Sequence, residues 1–208
     1  MGLQVDPPFG LGQTLFSMGS AETTVRNDSF HGLQSAAAYG DNWTGCVKEF
    51  TDVNPATGLL RTNRRKICVA VKNVSAGVLL PKRVVTFNTA AGKLFSEVNG
   101  YSRLTNEERV AVVDEHLPAS GVAVNDIFWV TVDGPTEVSA AVSGTAIAAG
   151  DRIAAITAAT SGATVAGRVT PSAFASATDV AGAIGYAVSA GTTSDGTAVL
   201  ALVTTRLV

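Results

Sequence analysis

Cysteine is scarce in this chain: Cys46 and Cys68 are the two among 208 residues. Two cysteines make no disulfide framework of the kind that staples small secreted domains. The expectation is two free thiols, with a single bridge between them left open. Histidine is equally scarce, with His31 and His116 far apart in sequence. No H-E-x-x-H, paired C-x-x-C or G-x-S-x-G stretch occurs, so neither a zinc site nor a nucleophile elbow is supported. Gly10-Leu11-Gly12 lacks the preceding strand and the following Lys-Ser/Thr of a phosphate loop. There is also no uninterrupted apolar run of about 18 residues, so no transmembrane helix is expected. The start, MGLQVDPPFGLG, has no basic segment ahead of an apolar core. Asp6 stands where a myristoylation signal needs Ser or Thr. These gaps together lead us to expect no enzyme, no cofactor and no metal.

Hydrophobic residues make up 46% of the chain, charged residues 15% and aromatics 6%. Ala, Val, Gly and Thr dominate. That mixture suits closely packed strands joined by tight turns. The net charge of −2 conceals an uneven distribution. Residues 1–60 carry −4, residues 61–109 carry +7 and residues 110–208 carry −5. A basic middle between acidic flanks fits self-assembly or docking onto a negative surface.

Residues 1–65 read as an extended arm. Gly and Pro recur and neither strand nor helix period persists, yet Phe9, Leu15, Phe16, Phe30 and Trp43 lie there. A solvated tail has no use for such side chains. The arm is therefore expected to lie on its own domain, on a neighbouring copy or on a partner. The basic run RTNRRK at 61–66 ends it, and Arg61, Arg64, Arg65 and Lys66 are candidate clamps onto an acidic surface. The alternative is a solvated hinge between arm and domain. Support for nucleic acid is weak, because the chain is acidic overall and no aromatics interleave with the basic run.

From Lys66 to Val208 the pattern is β. ICVAVKNV (67–74), VLLPKRVVTFN (78–88) and KLFSEV (93–98) read as strands. Asn99-Gly100 gives the strongest turn signal. LTNEERVAVVDEH (104–116) is the best helix candidate, with Thr105 as cap and Glu108 three residues on, although VAVVDEH also suits a strand. His116 reads as part of a solvated turn. GVAVNDIFWVTV (121–132) rhymes with GTAIAAGDRIAAIT (144–157), and Gly77 to Val85 is a weaker echo. Each unit places small apolar residues before a turn and a short apolar strand after it. Asp126, Asp133, Asp151 and Asp195 sit beside expected turns, where carboxylates bond to backbone N–H groups. The expected fold is mainly β, a small antiparallel barrel or sandwich over 66–208, with the arm in front.

The succession VNDIFWV (124–130), GPTEV (134–138), IAAGDRI (147–153), GRV (167–169) and AIGYAV…TAVLALV (183–203) resembles the small β-domains of tailed-bacteriophage head decoration (cement) proteins. The resemblance implies a non-enzymatic protein on the outer capsid surface at capsomer junctions. It also implies the major capsid protein as partner, a homotrimer, and stabilisation of the head against DNA pressure. A head fibre base or a tail protein is the runner-up, and a carbohydrate-binding β-module stands further behind.

Overall fold

The computed structural model describes residue 7 and residues 9–18, 22–26, 43–102, 109–141, 146–156, 166–172, 183–191 and 196–204. The architecture is mainly β, as composition and strand patterning suggest. Twelve strands belong to one mixed sheet: β1 (Thr14–Met18), β2 (Glu22–Arg26), β3 (Val47–Val53), β4 (Leu60–Asn73), β5 (Val84–Phe87), β6 (Glu97–Tyr101), β7 (Val110–Val113), β8 (Ile127–Ser139), β9 (Arg152–Ala155), β10 (Val169–Pro171), β11 (Ala183–Ala187) and β12 (Ala198–Thr204).

Five of these strands close a ring through hydrogen-bonded neighbours, in the order β4-β8-β7-β5-β6 and back to β4. All are antiparallel pairs except β4 with β6. Val69 and Val71, Val85 and Phe87, Val98, Ala111 and Val113, and Phe128 and Val130 fill the interior. Alternate residues of β5 and β7 point the other way. Val84 and Val112 join a second core with Val138, Ile153, Val169, Ile184 and Val199. That core lies between the outer wall of the ring and the strands β12, β11, β9 and β10. Ala140, Ala155, Ala187 and Ala201 sit in it, small side chains in a closely packed layer.

A recurrent turn builds these strands. Nine of the twelve begin two residues after a residue with positive φ, among them β5 after Lys82 (φ 62°), β8 after Asn125 (φ 70°) and β9 after Gly150 (φ 93°). These three turns are the rhyme seen in the sequence. Leu79 and Val122, which enter two of the units, bridge antiparallel to each other at N···O distances of 3.0 and 2.8 Å. The Asp151 carboxylate accepts the Ala148 N–H at 2.7 Å, a side-chain turn bond of the expected kind. Residues 152–155 form a strand rather than a helix, as Gly150 and the Ile/Thr content suggest.

Several expectations need correction. Asn99-Gly100 makes no turn; it lies inside β6, where a register shift between Thr86 and Phe87 accommodates the additional residue Asn99 as a bulge. The turn falls earlier, and Phe95 (φ 64°) lies two residues before the strand begins at Glu97. The helix candidate fails over Val110–Val113, which is β7. Its residues bury on both faces, Ala111 and Val113 in the ring and Val112 outside it. Residues 104–108 lie outside the described residues. Asp133 falls within β8 rather than beside a turn, and Asp195 lies outside the described residues. The expected division after residue 65 falls inside β4. β3 and the first half of β4 form a hairpin of the same sheet, with Phe50 opposite Lys66 and Thr51 opposite Arg65. Asn54 to Gly58 form the turn between β3 and β4.

Gly134 marks the point where β8 leaves β4 and continues beside β12. Its φ is +104°, and a Cβ there would lie 2.7 Å from both the Arg65 carbonyl oxygen and the Lys66 Cα. Gly134→Ala is therefore expected to cost about 3 kcal/mol, from backbone strain and overpacking together. Gly150→Ala has open space around its Cβ and should cost about 1 kcal/mol. Denaturant unfolding of the two variants would test this order, and equal losses would refute the crowding argument.

Candidate functional site

Two features bring side chains with chemical potential together, and they share a border. The first is an aromatic groove on the outer face of β4 and β8. Trp129 projects there because alternate β8 residues face opposite ways: Phe128 and Val130 enter the ring, while Ile127 and Trp129 join Cys68 and Ala70 outside it. Phe9 stacks on Trp129 at 5.0 Å between centroids, and Phe50 meets it edge-on at 5.2 Å. The indole Nε1–H donates to the Phe9 carbonyl oxygen at 3.1 Å. Leu15 pairs in register with Ile127. Trp43 and Cys46 pack at the margin of the groove. Burial pushes the Cys68 thiol up to about 12, far from a reactive thiolate. Both cysteines are free.

The second feature is a charge cluster where the β3–β4 hairpin meets the body. The Arg61 guanidinium reaches Asp52 Oδ1 at 2.6 Å, Glu115 Oε1 at 2.8 Å and Glu137 Oε1 at 3.2 Å. Lys66 Nζ contacts Glu115 Oε1 at 2.7 Å, and Lys82 Nζ contacts Glu137 Oε2 at 2.6 Å. The Asp114 carboxylate accepts the Gly12 N–H at 2.5 Å and the His116 N–H at 3.0 Å. His116 Nε2 stands 3.4 Å from Lys66 Nζ. Asp52, Lys66, Asp114 and Glu115 are buried. This corrects the reading of Asp114–His116 as a solvated turn: Lys66 and Arg61, remote in sequence, supply the partners that let the acids leave water.

The sequence-selected residues therefore scatter. Phe9 and Leu15 are buried in the chain's own interior, and of the three surfaces weighed for the arm they occupy the chain's own domain. Trp43 borders them. Phe16 lies in β1, and Phe30 and His31 lie outside the described residues. The RTNRRK run is divided where the pairing of β4 with β3 shifts register between Thr51 and Val53, so regular alternation is interrupted across 61–64. Arg61 and Lys66 turn inward to the acids. Arg64 and Arg65 are exposed, and Arg65 pairs with the exposed Glu49 at 2.8 Å. Arg61 and Lys66 are thus engaged within the chain, and Arg64 and Arg65 remain on its surface. Asp52, Glu115, Glu137 and Trp129 were missed as members of a cluster. The only sequence signal was an unusual proximity of Asp114, Glu115 and His116.

A shallow cleft of about 220 Å³ opens beside the cluster, lined by Gly12, Thr14, Leu117, Pro118, Ser120, Gly121 and Asp126. Among the described residues no group of three or more His, Cys, Asp and Glu is arranged to hold a metal ion, and no helix is long and apolar enough to cross a membrane.

The fold and these two features define a mainly β protein with an internally neutralised charge cluster. No protein-family model matches the chain, and no curated protein matches it. Among solved structures it is similar to the head fiber gp8.5 N base of bacteriophage phi29. The TM-score is 0.40 and the identity 17%, over 69% of this chain and 98% of that one. A likeness of that size carries no argument.

Burial is the largest influence on Glu115 and would raise its carboxyl, but Arg61 and Lys66 together hold it below the ordinary 4.5. Burial likewise holds His116 below the ordinary 6.5, and Lys66 and Arg61 add to this against the opposing Asp114 and Glu115. Burial raises Asp114, against the two backbone N–H groups it accepts, so Asp114 favours folding as pH falls. A histidine with a depressed folded pKa is protonated first in the unfolded chain, so its contribution to stability is lost as pH falls below 6.5. The unfolding free energy of the native chain relative to His116→Gln is expected to decline as pH drops below that value. A difference that does not vary with pH would refute this assignment.

Arg61→Ala leaves Asp52 and Glu115 short of a cation and is expected to cost about 3–5 kcal/mol. Arg65→Ala, at an exposed pair, should cost less than about 1 kcal/mol. Urea titration of both variants gives the comparison, and a mild Arg61→Ala would show that the cluster is dispensable.

Proposed function

We propose that this chain is a non-enzymatic structural component of a tailed-bacteriophage virion. It binds the outer capsid surface at capsomer junctions, takes the major capsid protein as partner, and stabilises the head against DNA pressure. It acts as a homo-oligomer, a trimer in the simplest arrangement. The pattern of small residues and turns in 124–203 supplies the starting point. The observation that carries the reading is where the reactive side chains go. Asp52, Arg61, Lys66, Asp114, Glu115 and Trp129 are turned on one another inside the fold. Among the described residues, what faces outward includes a hairpin tip. That tip presents Leu59 and Leu60, 69% and 57% exposed. Its turn is held by Asn54 N–H to Leu59 O and Gly58 N–H to Asn54 O, both at 2.9 Å. Such a body suits many modest contacts repeated over a lattice, where multivalency replaces a deep pocket.

Within the basic run the docking role falls to exposed Arg64, with the exposed Leu59 and Leu60 earlier on the same hairpin. Arg64→Ala should leave stability within about 0.5 kcal/mol. It should also weaken binding to undecorated heads and reduce the salt dependence of binding. Cosedimentation with purified heads at several salt concentrations reads both quantities. Unchanged affinity and salt slope would remove Arg64 from the interface. Electron cryomicroscopy of native particles tests the placement itself: density on the capsid lattice is expected, whereas density at a fibre or on the tail would favour the runner-up reading.

A further inference from the structure

The groove on β4 and β8 is defined by the segment that fills it. Phe9 stacks on Trp129, the Phe9 carbonyl takes the indole N–H, the Gly12 N–H reaches Asp114, and Leu15 lies against Ile127. We propose that this groove also accepts residues 9–15 of a second copy of the chain, so that copies are joined by exchange of their N-terminal straps.

Three observations carry the proposal. First, the occupant's chemistry is already displayed: an aromatic anchor, one backbone acceptor for Trp129, one backbone donor for Asp114 and one leucine. A strap from another chain would make the same contacts, so exchange leaves the contact energy unchanged and is opposed chiefly by the entropy of association. Second, the strap is a separable module. β1 meets the body at one register pair, Leu15 with Ile127, and β2 pairs with β1 and with no other strand among the described residues. The β1–β2 hairpin can therefore move as a unit. Third, the tether is long. β2 ends at Arg26 and the described chain resumes at Trp43. The intervening residues 27–42 can span up to roughly 55 Å when extended, enough to cross to a neighbouring body. Exchange would supply the self-association in the proposed function, and the inference rests on that part of the reading.

The test uses the full-length chain in two forms, Leu15→Cys and Ile127→Cys, one carrying an affinity tag. The forms are mixed at high concentration, warmed briefly to allow straps to leave, cooled and oxidised. Exchange predicts a covalent heterodimer on non-reducing gels that appears in the mixture and in neither form alone. Absence of that band, while the double variant closes an intrachain disulfide, would overturn the proposal. Because either cysteine could impair folding, the unmodified chain provides a second measurement by light scattering. An exchanged oligomer formed at high concentration should persist on dilution at low temperature and fall apart only on warming, since each strap must leave its groove. An oligomer that dissociates immediately on dilution, or a mass that never rises above the monomer, would also overturn exchange. A trimer showing only intrachain cross-links defeats exchange and leaves the proposed self-association standing. Failure to bind heads defeats the virion reading and leaves exchange standing.

Discussion

β8 has to satisfy neighbours on both edges and bury side chains on both faces along most of its thirteen residues. Its first half pairs with β4 and β7 and closes the ring. Its second half pairs with β12 and opens the second core. A strand under this constraint cannot shift register by one residue, because Trp129 would enter the ring and Phe128 would leave it. Gly134 permits the change of partner, since no side chain fits between β8 and the backbone of Arg65 and Lys66 at that point. The ring, the groove and the second core all depend on that strand.

The charge cluster follows from the same placement. By bringing Glu137 beside the residues that follow β7, β8 creates a site that carboxylates alone could not occupy. Arg61 and Lys66 enter from β4 and bind Asp52, Glu115 and Glu137. The cluster ties the β3–β4 hairpin to the body, and through Gly12 and Asp114 it also ties down the N-terminal segment. Buried ion pairs contribute modest net stability against well-packed apolar alternatives, yet they strongly penalise the loss of one partner. They therefore act as fasteners between segments remote in sequence. A body fastened in this way holds segments remote in sequence in fixed positions.

Some features were legible along the chain. The rhyme between 121–132 and 144–157 was real, and its physical content is a positive-φ turn residue two positions before a strand. Gly150 and Asn125 announce that geometry because they adopt it with little strain; Lys82 adopts it too but does not advertise it. Asn99-Gly100 misled for a related reason. The pair is at home in a turn, but the register between β5 and β6 used it as a bulge. Val110–Val113 could be read as helix or strand, and two-sided burial decided for the strand.

The sequence by itself determined the class of structure. Abundant β-branched and small residues, punctuated by glycine, favour short strands. The scarcity of cysteine and histidine left little for disulfide or metal chemistry. Tertiary structure decided where the charges and aromatics act. RTNRRK reads as one basic patch because the sequence is linear, but the irregular pairing of β4 with β3 over this stretch lets Arg61 and Lys66 both go inward to acids that sequence distance conceals, while Arg64 and Arg65 stay exposed. Phe9 reads as part of a loose arm until Trp129, 120 positions away, supplies a ring to stack on and a donor for its carbonyl. Local composition carries the first kind of information. The second exists only once distant segments meet, because burial and electrostatic partnership are properties of contacts rather than of residues.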